Sequence, residues 1–283
     1  MTDLDWADVD RAIAAGLDED LRYGPDITSA ATVPADLVSK GAVISRQPGT
    51  VAGIDVALRV FDAVIGAGQY TVVSRVADGT RVAARDTVLE IEAPVQGMLT
   101  AERTMLNLLC HMSGIATATS AWVDALAGTK CRVRDSRKTL PGLRAIEKYA
   151  VRAGGGVNHR MGLGDEALIK DNHIVAAGSP AAALRAVRAA NPSIVCEIEV
   201  DRLDYLDEVL AEGAELVLLD NMPLWMTQAA VQRRDKVAPS TRLESSGGLT
   251  LEVAADYART GVDYLAVGAL THSVTVLDLG LDM

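Results

Sequence analysis

Aromatic side chains are scarce in this chain. They make up 4% of its 283 residues, with a single phenylalanine, Phe61. Ala, Val and Leu must therefore fill the core, and base or ring stacking on an aromatic platform is not an expected binding mode. No apolar run approaches the roughly 18 residues that a membrane helix needs, and the start, Met1-Thr2-Asp3-Leu4-Asp5, is acidic where a secretory signal would be basic and then apolar. The three cysteines, Cys110, Cys131 and Cys196, are isolated and lack metal-ligand spacing. They are expected to be buried free thiols in a reducing compartment, which implies a cytoplasmic protein. Positive charge is also in deficit. The net charge of −11 argues against nucleic acid or an acidic membrane as partner.

That deficit makes one local exception informative. Between Lys130 and His173 the chain carries ten Lys or Arg against five Asp or Glu, so this segment is +5 and the remainder −16. A chain that gathers its cations in one stretch is suited to a small, multiply charged anion there; the bland alternative is a solvated basic face.

Two textures divide the sequence. Up to about residue 112, an amphipathic helix (4–17) precedes short Val-rich runs punctuated by glycine (41–45, 49–53, 70–76, 81–93), with a helix at 58–65. This predicts an α+β domain containing an antiparallel sheet. A long helix over 101–126, with a break near Gly114, leads into the second texture. There, strands expected at 131–134, 167–169, 194–200, 216–219, 242–244 and 264–267 alternate with helices. Ser179-Pro180 opens one helix as an N-cap with proline at the first helical position, and Gly213 and Gly261 close two others. The last strands recur at the length of one βα unit, which favours a parallel barrel. A doubly wound sheet is the alternative, but no Gly-x-Gly-x-x-Gly follows any strand.

Barrel sites are built at the carboxyl ends of the strands. Those ends carry Asp135-Ser136-Arg137-Lys138-Thr139, Lys170-Asp171-Asn172-His173, Glu197-Ile198-Glu199, Asp220-Asn221, Ser245-Ser246-Gly247-Gly248 and Gly268-Ala269. A loop adds Gly154-Gly155-Gly156-Val157-Asn158-His159-Arg160, expected to supply an anion nest. Arg137 and Arg160 offer planar forks for carboxylates, and Lys138 and Lys170 offer point charges. Gly247, Gly248 and Gly268 would admit a phosphate to the backbone. Glu199 and Asp220 would hold Mg²⁺ or ribose hydroxyls. Each element alone has an ordinary reading as a surface pair, a loop acid or a turn; their succession on consecutive strand ends gives them weight.

The ordered set resembles the quinolinate phosphoribosyltransferase family. Its marks are Glu19-Asp20 with Gly24, Asp26 and Thr28; Glu102-Arg103-Thr104 with Leu106-Asn107; 135–144; 154–160; 169–173; 197–199; 219–221; 244–249; and 267–272. Ser136 stands where threonine is common. The resemblance implies an N-terminal α/β sandwich domain (1–112, joined by the tail 273–283) and an incomplete, seven-stranded parallel α/β barrel (113–272). It implies a homodimer or larger homo-oligomer in which Arg103 enters the neighbouring active site. Arg103, Arg137, His159, Arg160 and Lys170 would then clamp the two carboxylates of quinolinate. Lys138, Glu199, Asp220, Ser246, Gly247, Gly268 and His272 would surround 5-phosphoribosyl 1-pyrophosphate and Mg²⁺, with Ser136, Gly248, Val267 and Ala269 lining the site. Lys138, Lys170, Glu199 and Asp220 would act on the chemistry, with Glu199 and Asp220 at the metal. The implied reaction is decarboxylating phosphoribosyl transfer to quinolinate in NAD biosynthesis. Rival readings are a transferase for another aromatic carboxylate such as nicotinate, a barrel lyase using Lys170 as Schiff-base nucleophile, and a silent anion-binding protein.

Overall fold

The computed structural model describes residues 4–283; the acidic start at Met1, Thr2 and Asp3 lies outside them. In chain order the elements begin with α1 (Trp6–Leu21), α2 (Ile27–Thr32), β1 (Val38–Ser45), β2 (Gly49–Thr50), α3 (Ile54–Ile65), β3 (Thr71–Arg75), β4 (Arg81–Val82), β5 (Thr87–Pro94) and α4 (Val95–Ala125). There follow β6 (Arg132–Arg134), α5 (Arg144–Ala153), β7 (Ala167–Ile169), α6 (Asp171–Ala177), α7 (Pro180–Ala190), β8 (Cys196–Val200), α8 (Leu203–Ala211) and β9 (Leu216–Asp220). The chain ends with α9 (Leu224–Val237), β10 (Arg242–Ser246), α10 (Leu251–Arg259), β11 (Tyr264–Ala266), α11 (Ala269–His272) and β12 (Leu279–Asp282). No helix among the described residues is long and apolar enough to cross a membrane.

These elements form two compact units that interleave in sequence. The first runs to Ser120 and takes in Thr139–Gly155 and Ala269–Met283; the second comprises Ala121–Lys138 and Gly156–Gly268. In the first unit an antiparallel sheet has the order β12-β1-β5-β3, so the C-terminal strand pairs with the first strand of the chain. Local chemistry sets the helix starts: Asp5 accepts from the Ala7 amide at 3.0 Å, and Asp26 caps α2 in the same way. With aromatics scarce, Phe61 and the unbranched Met98, Met105 and Met112 fill the interior.

The break expected near Gly114 does not occur, and α4 continues through it. A Cβ at Gly114 would lie 2.4 Å from the Thr275 carbonyl oxygen and 2.8 Å from the Val276 Cα. The glycine thus lets the C-terminal backbone lie against the helix, rather than interrupting it.

The second unit is built on a parallel sheet of six strands in the order β6-β11-β10-β9-β8-β7. The seventh position is reduced to a single residue, because Val157 bridges to Arg134 on the outer side of β6. Residues aligned across parallel strands face the same side. Val133, Ile198, Val217, Leu219, Leu243 and Leu265 line one face and are all buried, as expected for a sheet covered by helices. Ser179 caps α7, accepting from the Ala182 amide at 3.1 Å, with Pro180 at the first helical position. Buried Arg234 on α9 donates to the carbonyls of Thr241 and Gly261 and to Asp263, tying the starts of β10 and β11 to the helix.

Helix propensity and packing make opposite predictions at Gly114. Alanine would gain about 1 kcal/mol as a helix former, but overpacking against backbone costs roughly 1–3 kcal/mol. We expect Gly114→Ala to lower the midpoint of denaturant unfolding; a raised midpoint would mean that the tail yields.

Candidate active site

The opposite face of the parallel sheet is not apolar. Register places Arg134 and Ala266, Glu244 and Ser246, Leu218 and Asp220, and Glu197 and Glu199 on that one face. Side chains two residues apart point the same way one pleat further along the strand. Glu199 therefore sits at the carboxyl rim with Glu197 one pleat beneath it, and Ser246 sits above Glu244.

The predicted rim residues of the second unit gather at these strand ends. Ser136, Arg137 and Lys138 follow β6, and the Ser136 hydroxyl accepts from the Lys138 amide at 3.0 Å. Lys170 follows β7, and its Nζ donates to Glu199 Oε2 at 2.9 Å. Asp220 ends β9 and accepts from Asn221 Nδ2 at 2.7 Å. Asn221 holds a left-handed φ of 51° and donates its amide to the Ser246 carbonyl at 2.9 Å, joining the ends of β9 and β10. Gly247, with φ 101°, is required there: a Cβ would meet Asn221 Oδ1 at 2.2 Å. Gly248 follows it on the exposed side, and Val267, whose amide donates to the Arg134 carbonyl, leads into Gly268. Arg103, Ala269 and His272 belong to the first unit, all three exposed.

The loop 154–160 departs from the expected anion nest. Gly154 is buried with an ordinary φ of −75°, and a Cβ on it would lie 2.5 Å from the Ala116 carbonyl oxygen, so it serves close packing of α5 on α4. Gly156 is buried as well, and Gly155 carries the left-handed turn. The function of this loop lies further on, at Asn158, His159 and Arg160. Buried Asp135 accepts from the His159 amide at 2.8 Å and from the Asn158 side chain, which docks the loop against the end of β6.

Two features dominate the electrostatics. Arg137 and Arg160 each have a buried Nε without a hydrogen-bond partner. Desolvation, and next the Arg137 charge, hold Arg160 below its usual pKa. Its Nη1 is satisfied by the Glu166 carbonyl at 3.0 Å. Beneath the rim lies the second feature. His159 is 6% exposed, with Nε2 at 2.8 Å from Glu197 Oε2 and 3.8 Å from Glu244 Oε1. Arg134 donates to Glu244 Oε2 at 2.6 Å, and its guanidinium lies 4.8 Å from the centre of the Tyr264 ring. Burial pushes the pKa of both Glu197 and Glu244 up to about 7, and their mutual repulsion adds to the shift of Glu244. His159, Glu197 and Glu244 have the makeup of a small metal site, with ligand atoms within 4.8 Å of one another. Arg134 already serves as the cation on Glu244, however.

The donor set at the rim fits Mg²⁺ better. Glu199 and Asp220 are carboxylates on adjacent strands and the same face, with Asp220 one pleat further towards the rim, and both are more open than the buried pair, which suits an ion that keeps several waters. Lys170 is half exposed and paired with Glu199, unlike the desolvated lysine that Schiff-base chemistry requires. The thiols take no part: burial pushes Cys131 up to about 12 and Cys196 up to about 11, while Cys110 is only partly covered.

Comparison with known proteins decides the family. The model of the quinolinate phosphoribosyl transferase N-terminal domain matches residues 26–113, and that of the C-terminal domain matches 115–282. The chain belongs to the quinolinate phosphoribosyltransferase family. It is 62% identical over 283 residues, the whole of both chains, to the carboxylating nicotinate-nucleotide pyrophosphorylase of Mycobacterium leprae. A probable enzyme of the same name from Bacillus subtilis is 42% identical over 73% of this chain and 71% of its own. Among solved structures, NadC from Streptococcus pyogenes superposes with a TM-score of 0.93 at 37% identity, covering 100% of this chain and 98% of that one. The antiparallel sheet followed by a parallel sheet with helices is therefore the quinolinate phosphoribosyltransferase architecture.

Glu197, Glu244 and Arg134 were given no role from sequence, although the first two lie inside the motifs. The available signal was their position two residues before a rim group on a strand whose inner side is ordinarily Val, Ile or Leu.

Folded Glu244 keeps its proton to about pH 7, against 4.5 ordinarily. The native state thus binds the extra proton between those values, and stability from this group falls as pH rises through that window. Relative to wild type, Glu244→Gln should gain stability between about pH 5 and about pH 7.5, on the order of 1–3 kcal/mol. Equal differences at both pH values in denaturant unfolding would rule this out.

Proposed function

We propose that this chain transfers the phosphoribosyl group of 5-phosphoribosyl 1-pyrophosphate to quinolinate with loss of CO₂, giving nicotinate mononucleotide and pyrophosphate for NAD biosynthesis. One observation carries the reading: two guanidiniums, Arg137 and Arg160, are held together at the rim with their Nε atoms buried and unpartnered. A planar dicarboxylate would satisfy both forks at once. Lys170 adds a third cation, and His159 holds Arg160 from behind.

On the donor side, Lys138 stands at the end of β6, and the turn Ser246-Gly247-Gly248 with Gly268 brings backbone close to phosphate. Glu199 and Asp220 would hold Mg²⁺, which, when bound, supplies positive charge against the pyrophosphate. The Glu199 carboxylate, once released from Lys170, faces the positive charge that develops at the ribose C1 as the C1–pyrophosphate bond breaks. The pyridine nitrogen, oriented by the arginine forks, takes that carbon. Its quaternised form then accepts the electron pair left when the 2-carboxylate departs as CO₂, and a proton completes the ring carbon. Positioning and charge supply most of the rate. Arg103, exposed on α4, is assigned to the site of a second copy in a homodimer. A cytoplasmic location accords with the free thiols.

Equimolar pyrophosphate and CO₂ are expected from quinolinate with the donor and Mg²⁺, and neither product from nicotinate; pyrophosphate without CO₂ would replace the acceptor. Arg137→Ala or Arg160→Ala should lower kcat/KM on the order of 10²-fold. Mixing inactive Arg103→Ala with inactive Lys138→Ala should restore roughly a quarter of the activity, since half the dimers are mixed and each has one intact site. No recovery after subunit exchange would place Arg103 in its own chain's site.

A further inference from the structure

We propose that Glu197 and Glu244 are positioning residues: they fix the His159 ring, and through it the backbone and guanidinium of Arg160. Neither carboxylate takes part in the reaction as described, and both are fully buried beneath the rim.

The hydrogen bonds assign the ring. His159 Nδ1 accepts from the Arg160 amide at 2.7 Å. A nitrogen that faces an N–H donor carries no proton, so the ring proton is on Nε2, which lies 2.8 Å from Glu197 Oε2 in a close contact without hydrogen-bond geometry, leaving both Glu197 oxygens unpartnered. The histidine is a neutral bridge between a buried carboxylate and the peptide of the clamp residue. Its own amide donates to Asp135 at 2.8 Å, one residue before Ser136-Arg137-Lys138. One residue, by its ring on one side and its backbone amide on the other, therefore connects both arginine-bearing segments.

Glu244 closes the arrangement from the other side. It stands 3.8 Å from Nε2, and Arg134, packed over Tyr264, holds it in place. A filler role would be met by apolar side chains, whereas burying two carboxylates side by side costs several kcal/mol of desolvation before compensation. The charges also act on the rim: Asp165, Glu166 and, to a smaller extent, Glu197 oppose the Arg137 repulsion felt by Arg160. Partners that orient a functional imidazole from behind have this geometry in metal sites, where their loss costs roughly 10–100-fold in affinity or activity. The assignment of the substrate affected, the acceptor, rests on the function proposed above; the orientation of His159 and Arg160 does not.

The test is side-chain ¹⁵N NMR of the four histidines, with His159→Gln to assign the resonance, combined with separate KM values for the two substrates. Wild-type His159 should be a neutral Nε2–H tautomer. Glu197→Leu should shift and broaden the His159 resonances as the ring loses its fixed orientation, and raise the quinolinate KM roughly tenfold or more, with the donor KM within about threefold. Glu197→Gln, which keeps the shape and a carbonyl against Nε2, should keep the ring orientation and most of the affinity. A wild-type His159 that is Nδ1–H or doubly protonated overturns the proposal without any variant, which covers a Leu variant that fails to fold. Unchanged His159 resonances in Glu197→Leu, or equal losses for both substrates, also overturn it. If quinolinate is not turned over but the His159 resonances still depend on Glu197, the reaction reading fails and the positioning of Arg160 stands.

Discussion

The structure is organised around a repulsion. Arg137 and Arg160 carry like charges into partly desolvated positions, with a buried Nε left open on each. Such an arrangement costs free energy in the empty protein and persists only where the surroundings over-determine it. The surroundings here are specific. The Glu166 carbonyl takes one Arg160 nitrogen, His159 holds its peptide, and Asp135 docks the loop that carries both. A dianionic ligand relieves what the fold maintains, so binding energy is directed to the place where the acceptor must be oriented.

The parallel sheet makes this possible because its two faces are used differently. One face is Val, Ile and Leu against helices and supplies hydrophobic burial. The other carries charged groups in tiers set by the two-residue period of a strand, with Leu216, Leu218 and Ala266 among them. Glu197 and Glu244 lie within, and Glu199 and Ser246 at the rim. The left-handed Asn221 and the close approach of Gly247 fix the spacing of neighbouring strand ends, as a rigid scaffold does for residues borne on loops.

Much of this was legible in the sequence. Strands of the second unit fell within a residue or two of expectation, because apolar runs bounded by glycines and caps leave little choice, and the rim residues followed from the strand ends. Three features were hidden for identifiable reasons. Gly114 looks like a helix break in isolation, and its use is visible only once the tail lies against it. The glycines at 154–156 match an anion nest by composition, whereas Gly154 packs helix on helix. His159 shares its loop with the clamp arginine, yet turns inward to carboxylates on β8 and β10, contacts between residues far apart in the chain. Local pattern gives periodicity; it does not say which side of a three-residue strand is enclosed, nor that a seventh strand shrinks to the single bridge at Val157.

The central claim is that the rim is charged for a dicarboxylate. Calorimetric titration of the unliganded protein with quinolinate and with nicotinate, at matched ionic strength, addresses it most directly. Quinolinate should bind at least roughly tenfold more tightly, corresponding to about 1.4 kcal/mol, and Arg160→Ala should remove most of that difference. Equal affinity for the two acids, or a preference that survives the loss of Arg160, would contradict the account.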